Sequence, residues 1–98
     1  MKTVRLLIGG WGNAAYPMVK LLETEKERMA SDFGLEFVVV GVADSKGAAV
    51  NPAGISPAEI LDIKQHCGTV SAMPGIGRPQ MTAQEMILQC DADIYVDG

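Results

Sequence analysis

The sequence has 98 residues, of which 48 % are hydrophobic and 20 % charged, and its formal net charge is −4. These proportions are those of a folded globular unit, and the length suits one domain, so extended disorder and a multidomain chain are both excluded. The acidic balance, with no basic cluster, excludes an electrostatic nucleic-acid footprint. It does not exclude an anionic ligand, because backbone N–H groups at a helix end can hold phosphate without help from Lys or Arg. The two cysteines, Cys67 and Cys90, lack CxxC spacing and the only histidine is His66, so no metal site is expected. No apolar run reaches membrane-spanning length, and the N-terminus lacks the apolar stretch of a signal peptide. A cytoplasmic protein without membrane or nucleic-acid partners is the default expectation.

Val4 to Ile8 is a short apolar run that ends in Gly9-Gly10, which predicts a buried strand followed by a tight turn over Gly9–Gly12. From Asn13 the apolar positions Ala14, Met18, Leu21 and Leu22 recur at helical spacing, with charged residues between them as far as Arg28. A long amphipathic helix is expected, slightly distorted by Pro17 near its start and stopped at Gly34. Phe37 to Ala43 is apolar without alternation and ends at Asp44, the pattern of a strand covered on both faces in the middle of a parallel sheet.

Ser45 to Ile55 holds three glycines, an asparagine and a proline, and reads as a loop with room for a small hairpin. Ser56-Pro57-Ala58-Glu59 predicts a capping box that opens a second helix, with Ile60, Leu61 and Ile63 apolar and Gly68 as its end. Lys64 falls on the solvated face of this helix and His66 in its last turn. Thr69 to Pro79 is irregular. Thr82-Ala83-Gln84-Glu85 is another capping box, opening a short helix, and Ile94-Tyr95-Val96 reads as a third strand. The alternation of strands and helices predicts an α/β fold of Rossmann type: a parallel sheet with flanking helices, amounting to half of such a domain.

Gly10-x-Gly12-x-x-Ala15 has the G-x-G-x-x-G/A form of a dinucleotide fingerprint, and it lies where that form has meaning, between a strand and a helix. Gly10 permits the turn out of the strand, Gly12 lets backbone approach a pyrophosphate, and Ala15 lets the helix pack near the sheet. The N–H groups around Asn13 and Ala14 then point at phosphate oxygens, with the helix dipole behind them. Trp11, inside the turn, either shields a cofactor or packs against a neighbouring loop. Asp44 closes the second strand, where an acid accepts hydrogen bonds from the adenosine ribose. It lies 34 residues beyond Gly10, against about 20 in the usual pattern, a difference that fits the long first helix. Lys46, two residues on, is placed to meet a 2′-phosphate, so the expected cofactor is NAD or NADP, with Asp44 arguing for NAD.

The segments Leu7–Asn13, Val40–Gly47 and Asn51–Gly54, with Gly68–Ser71 and Ala92–Val96, resemble the N-terminal nucleotide-binding domain of homoserine dehydrogenase. They are also similar to the cofactor domain of glutamate and leucine dehydrogenases. The strand at the very N-terminus and the long charged helix before Phe37 favour the first. The resemblance implies that Gly10, Gly12, Asn13 and Ala14 line the pyrophosphate and that Asp44 meets the ribose; Trp11, Ser45 and Lys46 complete the expected cofactor-binding set. It departs at Ala15, often glycine in the family, and at Pro17. It further implies that residues 1–98 are the dinucleotide-binding part of an NAD(P)-dependent oxidoreductase of amino-acid biosynthesis. The substrate region, and any homo-oligomer contacts, would lie outside them. No residue of the 98 is expected to act on substrate. The alternative readings are a stand-alone, non-catalytic dinucleotide-binding module and the cofactor domain of an enzyme of the glutamate dehydrogenase type.

Overall fold

A computed structural model describes all residues, Met1–Gly98. The chain forms β1 (Lys2–Gly9), α1 (Ala15–Thr24), α2 (Lys26–Phe33), β2 (Leu35–Asp44), β3 (Gly47–Ile55), α3 (Pro57–Cys67), a short 3-10 turn over Val70–Ala72, β4 (Gly77–Pro79), α4 (Ala83–Gln89) and β5 (Ile94–Asp97). The five strands make one open sheet in the order β4-β3-β2-β1-β5. β1 is parallel to both β2 and β5, while β3 is antiparallel to β2 and β4 antiparallel to β3. The Rossmann-type α/β reading therefore holds. The parallel core is three strands wide, and an antiparallel pair extends it on one side.

That pair corrects the expectation of a loop over Ser45–Ile55. Asp44 and Gly47 face each other across a two-residue hairpin turn of Ser45 and Lys46, neither of which takes positive φ. Asp at the first and Gly at the fourth position are the residues such a turn favours. The strand escapes pattern reading because its paired part is Ala48, Ala49 and Val50. Between the pairs Gly41↔Val50 and Val39↔Ile55 the register slips, which lets Pro52 and Gly54 sit where no regular ladder is needed.

The first helix is also corrected. It begins at Ala15 and is broken at Glu25 into α1 and α2. The Thr24 hydroxyl donates back to the Leu21 carbonyl at 3.4 Å, a contact that bends helices. Gly34, with φ 64°, ends α2 as expected. Thr82 and Glu85 form the complete capping box at α4. Ser56 occupies the cap position of α3, but its side chain makes no capping bond.

α1 and α3 lie on one face of the sheet, where Ala15, Val19 and Ile60 pack on Ile8, Val39, Val42 and Ala49. α4 covers the other face through Met86, against Leu7, Val40, Ala43 and Ala48. β2 is thus buried on both sides, which explains its unbroken apolar run. No helix is long and apolar enough to cross a membrane.

The chain leaves β1 toward β2 on one side and returns through α4 to β5 on the other. The carboxyl ends of β1 and β5 therefore form the crevice where strand order reverses. Gly47 holds the far side of this end together. A Cβ there would stand 2.6 Å from the Arg78 carbonyl oxygen and 2.7 Å from the Ser71 Cβ. Gly47→Ala is expected to destabilise the fold by about 2 kcal/mol through overpacking. A urea denaturation midpoint equal to that of the unaltered chain would show that β4 and the Val70–Ala72 turn do not close on the hairpin.

Candidate functional site

The mouth of the crevice is built by the glycine turn. Gly10 takes φ 95°, which L side chains rarely adopt, and its N–H donates to the Ala43 carbonyl at 3.0 Å. The turn is thereby tied to the end of β2. Gly12 is small for a reason the sequence does not reveal: a Cβ there would lie 2.7 Å from the Gly98 carbonyl oxygen. β5 and the residue after it close on the turn, with the Gly98 N–H donating to Gly9 at 3.1 Å.

The start of α1 leaves its backbone donors open. The N–H groups of Trp11, Gly12, Asn13 and Ala14 have no acceptor within the chain. Ala14 stands at the cap position without a side chain able to cap, and the first turn holds no acid. Gly12, Asn13 and Ala14 are exposed. α4, by contrast, has both of its capping bonds. An uncapped N-terminus with free donors at a strand-order reversal is an anion site in waiting.

Trp11 is half-buried and packs against the core cluster beneath α1 and α3. The Lys64 ammonium sits over its ring, 5.2 Å from the centroid. Lys64 is not the solvated helix lysine the sequence suggested. Its side chain is 17 % exposed and ion-paired with Asp44, Nζ to Oδ2 at 3.2 Å, and it also donates to the Gly68 carbonyl at 3.1 Å. The available signal was its spacing: Lys64 falls four residues after the fully buried Ile60, on the same helix face.

Asp44 lies at the end of β2, as expected, but its carboxylate faces inward and is 3 % exposed. Oδ1 accepts from the Lys46 N–H at 2.9 Å, the Gly47 N–H at 3.2 Å and the Thr69 hydroxyl at 3.0 Å. Oδ2 accepts from Lys64 and from the Val70 N–H at 2.8 Å. Five donors fill the roughly four lone-pair positions of a carboxylate. Asp44 thus has no vacant acceptor for ribose hydroxyls, and the expected contact needs revision. Ser45 and Lys46, beside it on the hairpin tip, are exposed. Thr69 and Val70, which complete the cluster, lie in the stretch that looked merely irregular. Thr69 also accepts from the Ser71 N–H at 3.1 Å.

The other polar candidates lie elsewhere. His66 is exposed at the end of α3 and pairs with Asp62. Burial, with the charge of Asp91, pushes the Cys90 thiol up, away from a reactive thiolate. An apolar groove of about 370 Å³ lies at the opposite end of the sheet, between α2 and the starts of β2 and α3, and shares no residue with the glycine turn.

Burial pushes the Asp44 carboxyl up. The hydrogen bonds from Val70, Lys46, Thr69 and Lys64 outweigh burial and hold it below the usual carboxylate range. A carboxyl depressed on folding stabilises the fold above its unfolded value near pH 3.9, and that contribution disappears as pH falls through the folded value. The melting temperature of the chain is therefore expected to drop below about pH 4. Asp44→Asn should lower it at pH 7 and flatten this acid limb. A variant with an unchanged limb would show that the carboxylate is not the acid-sensitive tie.

The whole chain has known likenesses. Residues 1–97 match the family model of glutamate/leucine/phenylalanine/valine dehydrogenases. The chain is 29 % identical over 92 residues to homoserine dehydrogenase of Methanocaldococcus jannaschii, covering 94 % of this chain and 27 % of that protein. It is 32 % identical over 89 residues to glutamate dehydrogenase of Aeropyrum pernix, covering 91 % of this chain and 18 % of that one. Among solved structures, a hyperthermophilic archaeal homoserine dehydrogenase in complex with NADPH has the same fold. It superposes with a TM-score of 0.78 at 23 % identity, over 98 % of this chain and 28 % of that one. The chain thus spans about a quarter of the homoserine dehydrogenases it matches. By the match over nearly its full length, the chain belongs to the glutamate/leucine/phenylalanine/valine dehydrogenase family.

Proposed function

We propose that this chain is the dinucleotide-binding part of an NAD(P)-dependent homoserine dehydrogenase. In it, the turn Gly10–Ala14 holds the cofactor pyrophosphate, and Ser45 and Lys46 meet the adenosine ribose. The observation that carries the reading is the row of unpaired N–H groups from Trp11 to Ala14, at an uncapped helix start beside the carboxyl ends of β1 and β5. Backbone donors and the α1 dipole favour a diphosphate there despite the acidic chain. The likeness to homoserine dehydrogenases, one of them solved with NADPH, supports the cofactor class and the parent reaction. That reaction moves a hydride between the nicotinamide and the carbon that is an alcohol in homoserine and an aldehyde in aspartate semialdehyde. The hydride chemistry belongs to the cofactor; residues 1–98 bind and orient it. The substrate groups are assigned to a further region, as in relatives about three and a half times as long.

The revised place of Asp44 changes the expected cofactor preference. Its charge is neutralised by Lys64 and its oxygens are filled by donors that include the hairpin's own N–H groups, while the Lys46 side chain is exposed at the tip. Repulsion of a 2′-phosphate by Asp44 is therefore weak, and NADP should bind at least as tightly as NAD. Titration calorimetry with both cofactors checks this, and a clear preference for NAD would return Asp44 to the ribose.

The phosphate reading is tested best at Ala14, because a side chain at Gly12 would disturb the packing of Gly98 as well as the ligand. Ala14→Asp places a carboxylate at the helix start. It should raise stability by about 0.5 kcal/mol through the helix dipole and weaken dinucleotide binding about tenfold, roughly the Coulomb cost of one added charge near the phosphates. The two effects have opposite signs, so loss of binding cannot be laid to unfolding. Unchanged affinity in the stabilised variant would remove the turn from the site.

A further inference from the structure

α4 is too short for the sheet face it covers. Its seven residues span about 10 Å, whereas the ten residues of β2 span about 33 Å. Past its last residue, Gln89, a cavity of about 210 Å³ opens over Val40 and Val50. Arg5 lines it from the middle of β1, on the same face as Leu7 two residues along. We propose that this cavity binds the zwitterion of a short aliphatic α-amino acid, with its carboxylate on the Arg5 guanidinium and its ammonium at Asp91. The cavity shares no residue with the glycine turn, and the proposal stands apart from the dinucleotide reading.

The guanidinium is the group that needs a reason. Arg5 is half-buried, and a charge withdrawn from water is normally met by a partner. Arg5 takes part in no salt bridge of the chain. Its one side-chain hydrogen bond, from Nε to the Asp91 carbonyl oxygen, is long at 3.4 Å. The N–H groups on both Nη atoms find no acceptor, although they form the fork that grips a carboxylate. Apolar cover over Val40 accounts for the alkyl stem alone. Leu or Met would supply that cover without an unpaired charge.

The rest of the lining selects the ligand. Asp91 is exposed at the rim, and its charge adds to burial in pushing the thiol of Cys90, the adjoining wall, up. Asp93, the other acid nearby, is engaged by the Arg5 backbone N–H at 2.9 Å. A phosphate monoester would bring two negative charges to Asp91. A zwitterion meets each charge with its opposite, and the Gln89 amide can accept from an ammonium or donate to a carboxylate. Val50 and Pro52 leave an apolar wall for the side chain. The space equals roughly seven waters at liquid density, which suits an aliphatic amino acid and is too small for an aromatic one.

Norvaline and its truncated forms separate the three contacts. Pentanoate lacks the ammonium, butylamine lacks the carboxylate, and glycine lacks the side chain. In a methyl NMR titration of the chain, norvaline should shift the Val40 and Val50 resonances saturably. Each truncated form should bind several-fold or more weakly. The norvaline shifts should persist in the presence of saturating NADP, which keeps this cavity apart from the crevice. Arg5→Met should weaken norvaline about tenfold, the scale of one hydrogen-bonded contact to a charged group. Asp91→Asn, at an exposed position, should weaken it by a few-fold. Should Arg5→Met fail to fold by circular dichroism, the truncated ligands and Asp91→Asn still decide. Pentanoate that binds as tightly as norvaline, or norvaline that binds equally well to Arg5→Met, overturns the proposal. So does displacement of norvaline by NADP, or the absence of any Val40 or Val50 shift at millimolar norvaline.

Discussion

The buried carboxylate of Asp44 is the constraint on which the working end of this molecule depends. An ionised acid with 3 % of its side chain exposed is tolerable only if its lone pairs are filled and its charge is met. The donors come from three separate stretches: the hairpin turn through Lys46 and Gly47, α3 through Lys64, and the segment after α3 through Thr69 and Val70. The acid gathers them, and the Val70–Ala72 turn and β4 then close over Gly47. Lys64 carries the connection further, since the same ammonium rests on the Trp11 ring. The glycine turn and the hairpin tip thus share one ionic centre.

Against that saturated centre, the start of α1 is conspicuous for what it lacks. The chain is capable of complete capping, as Thr82 and Glu85 show at α4, a helix of only seven residues. α1 is longer, yet it begins on Ala14 with no side-chain cap, no acid in its first turn and four backbone donors unpaired. Poor capping lowers stability by roughly 1 kcal/mol relative to Ser, Thr, Asp or Asn at that position. Local choices that oppose stability concentrate where another demand acts, and on the proposed reading that demand is space and positive potential for the cofactor's pyrophosphate.

How much of this was legible differs from element to element, for physical reasons. β1, β2 and β5 are apolar runs bounded by turn residues, and Gly34, Gly68 and the Thr82–Glu85 box punctuate helices by rules that depend only on neighbouring residues. The glycine turn was readable for the same reason. β3 was not, because Ala48 and Ala49 have little strand preference, and Pro52 and Gly54 fall in a slipped register that only pairing with β2 reveals. Asp44 could be placed at its strand end, but the direction of its carboxylate depends on residues 2 to 26 positions away. Lys64 was misplaced by the habit of assigning charge to solvent; its spacing from Ile60 put it on the inner face, and a buried acid elsewhere was its reason to be there.

The antiparallel β3 also explains why these distant groups meet. In a regular doubly wound sheet, a crossover helix separates the second and third strands. Here the hairpin turn leads straight from Asp44 into β3, and α3 follows, packing beside α1 on the same sheet face. The last turns of α3 thereby arrive next to the glycine turn, bringing a lysine to both Asp44 and Trp11. Net charge is a poor guide to such a site. The chain is acidic overall, but Glu23, Glu25 and Glu27 lie around the α1–α2 break, past the far end of α1 from the turn. Exposed charges farther apart than about 8 Å are largely screened at physiological salt. At the mouth itself, Asp44 is neutralised by Lys64, Lys46 is exposed on the hairpin, and exposed Asp97 stands beside Gly9 at the end of β5. The helix dipole and Lys46 act there against one exposed carboxylate, and on the proposed reading that balance still lets an acidic chain take a diphosphate at the turn.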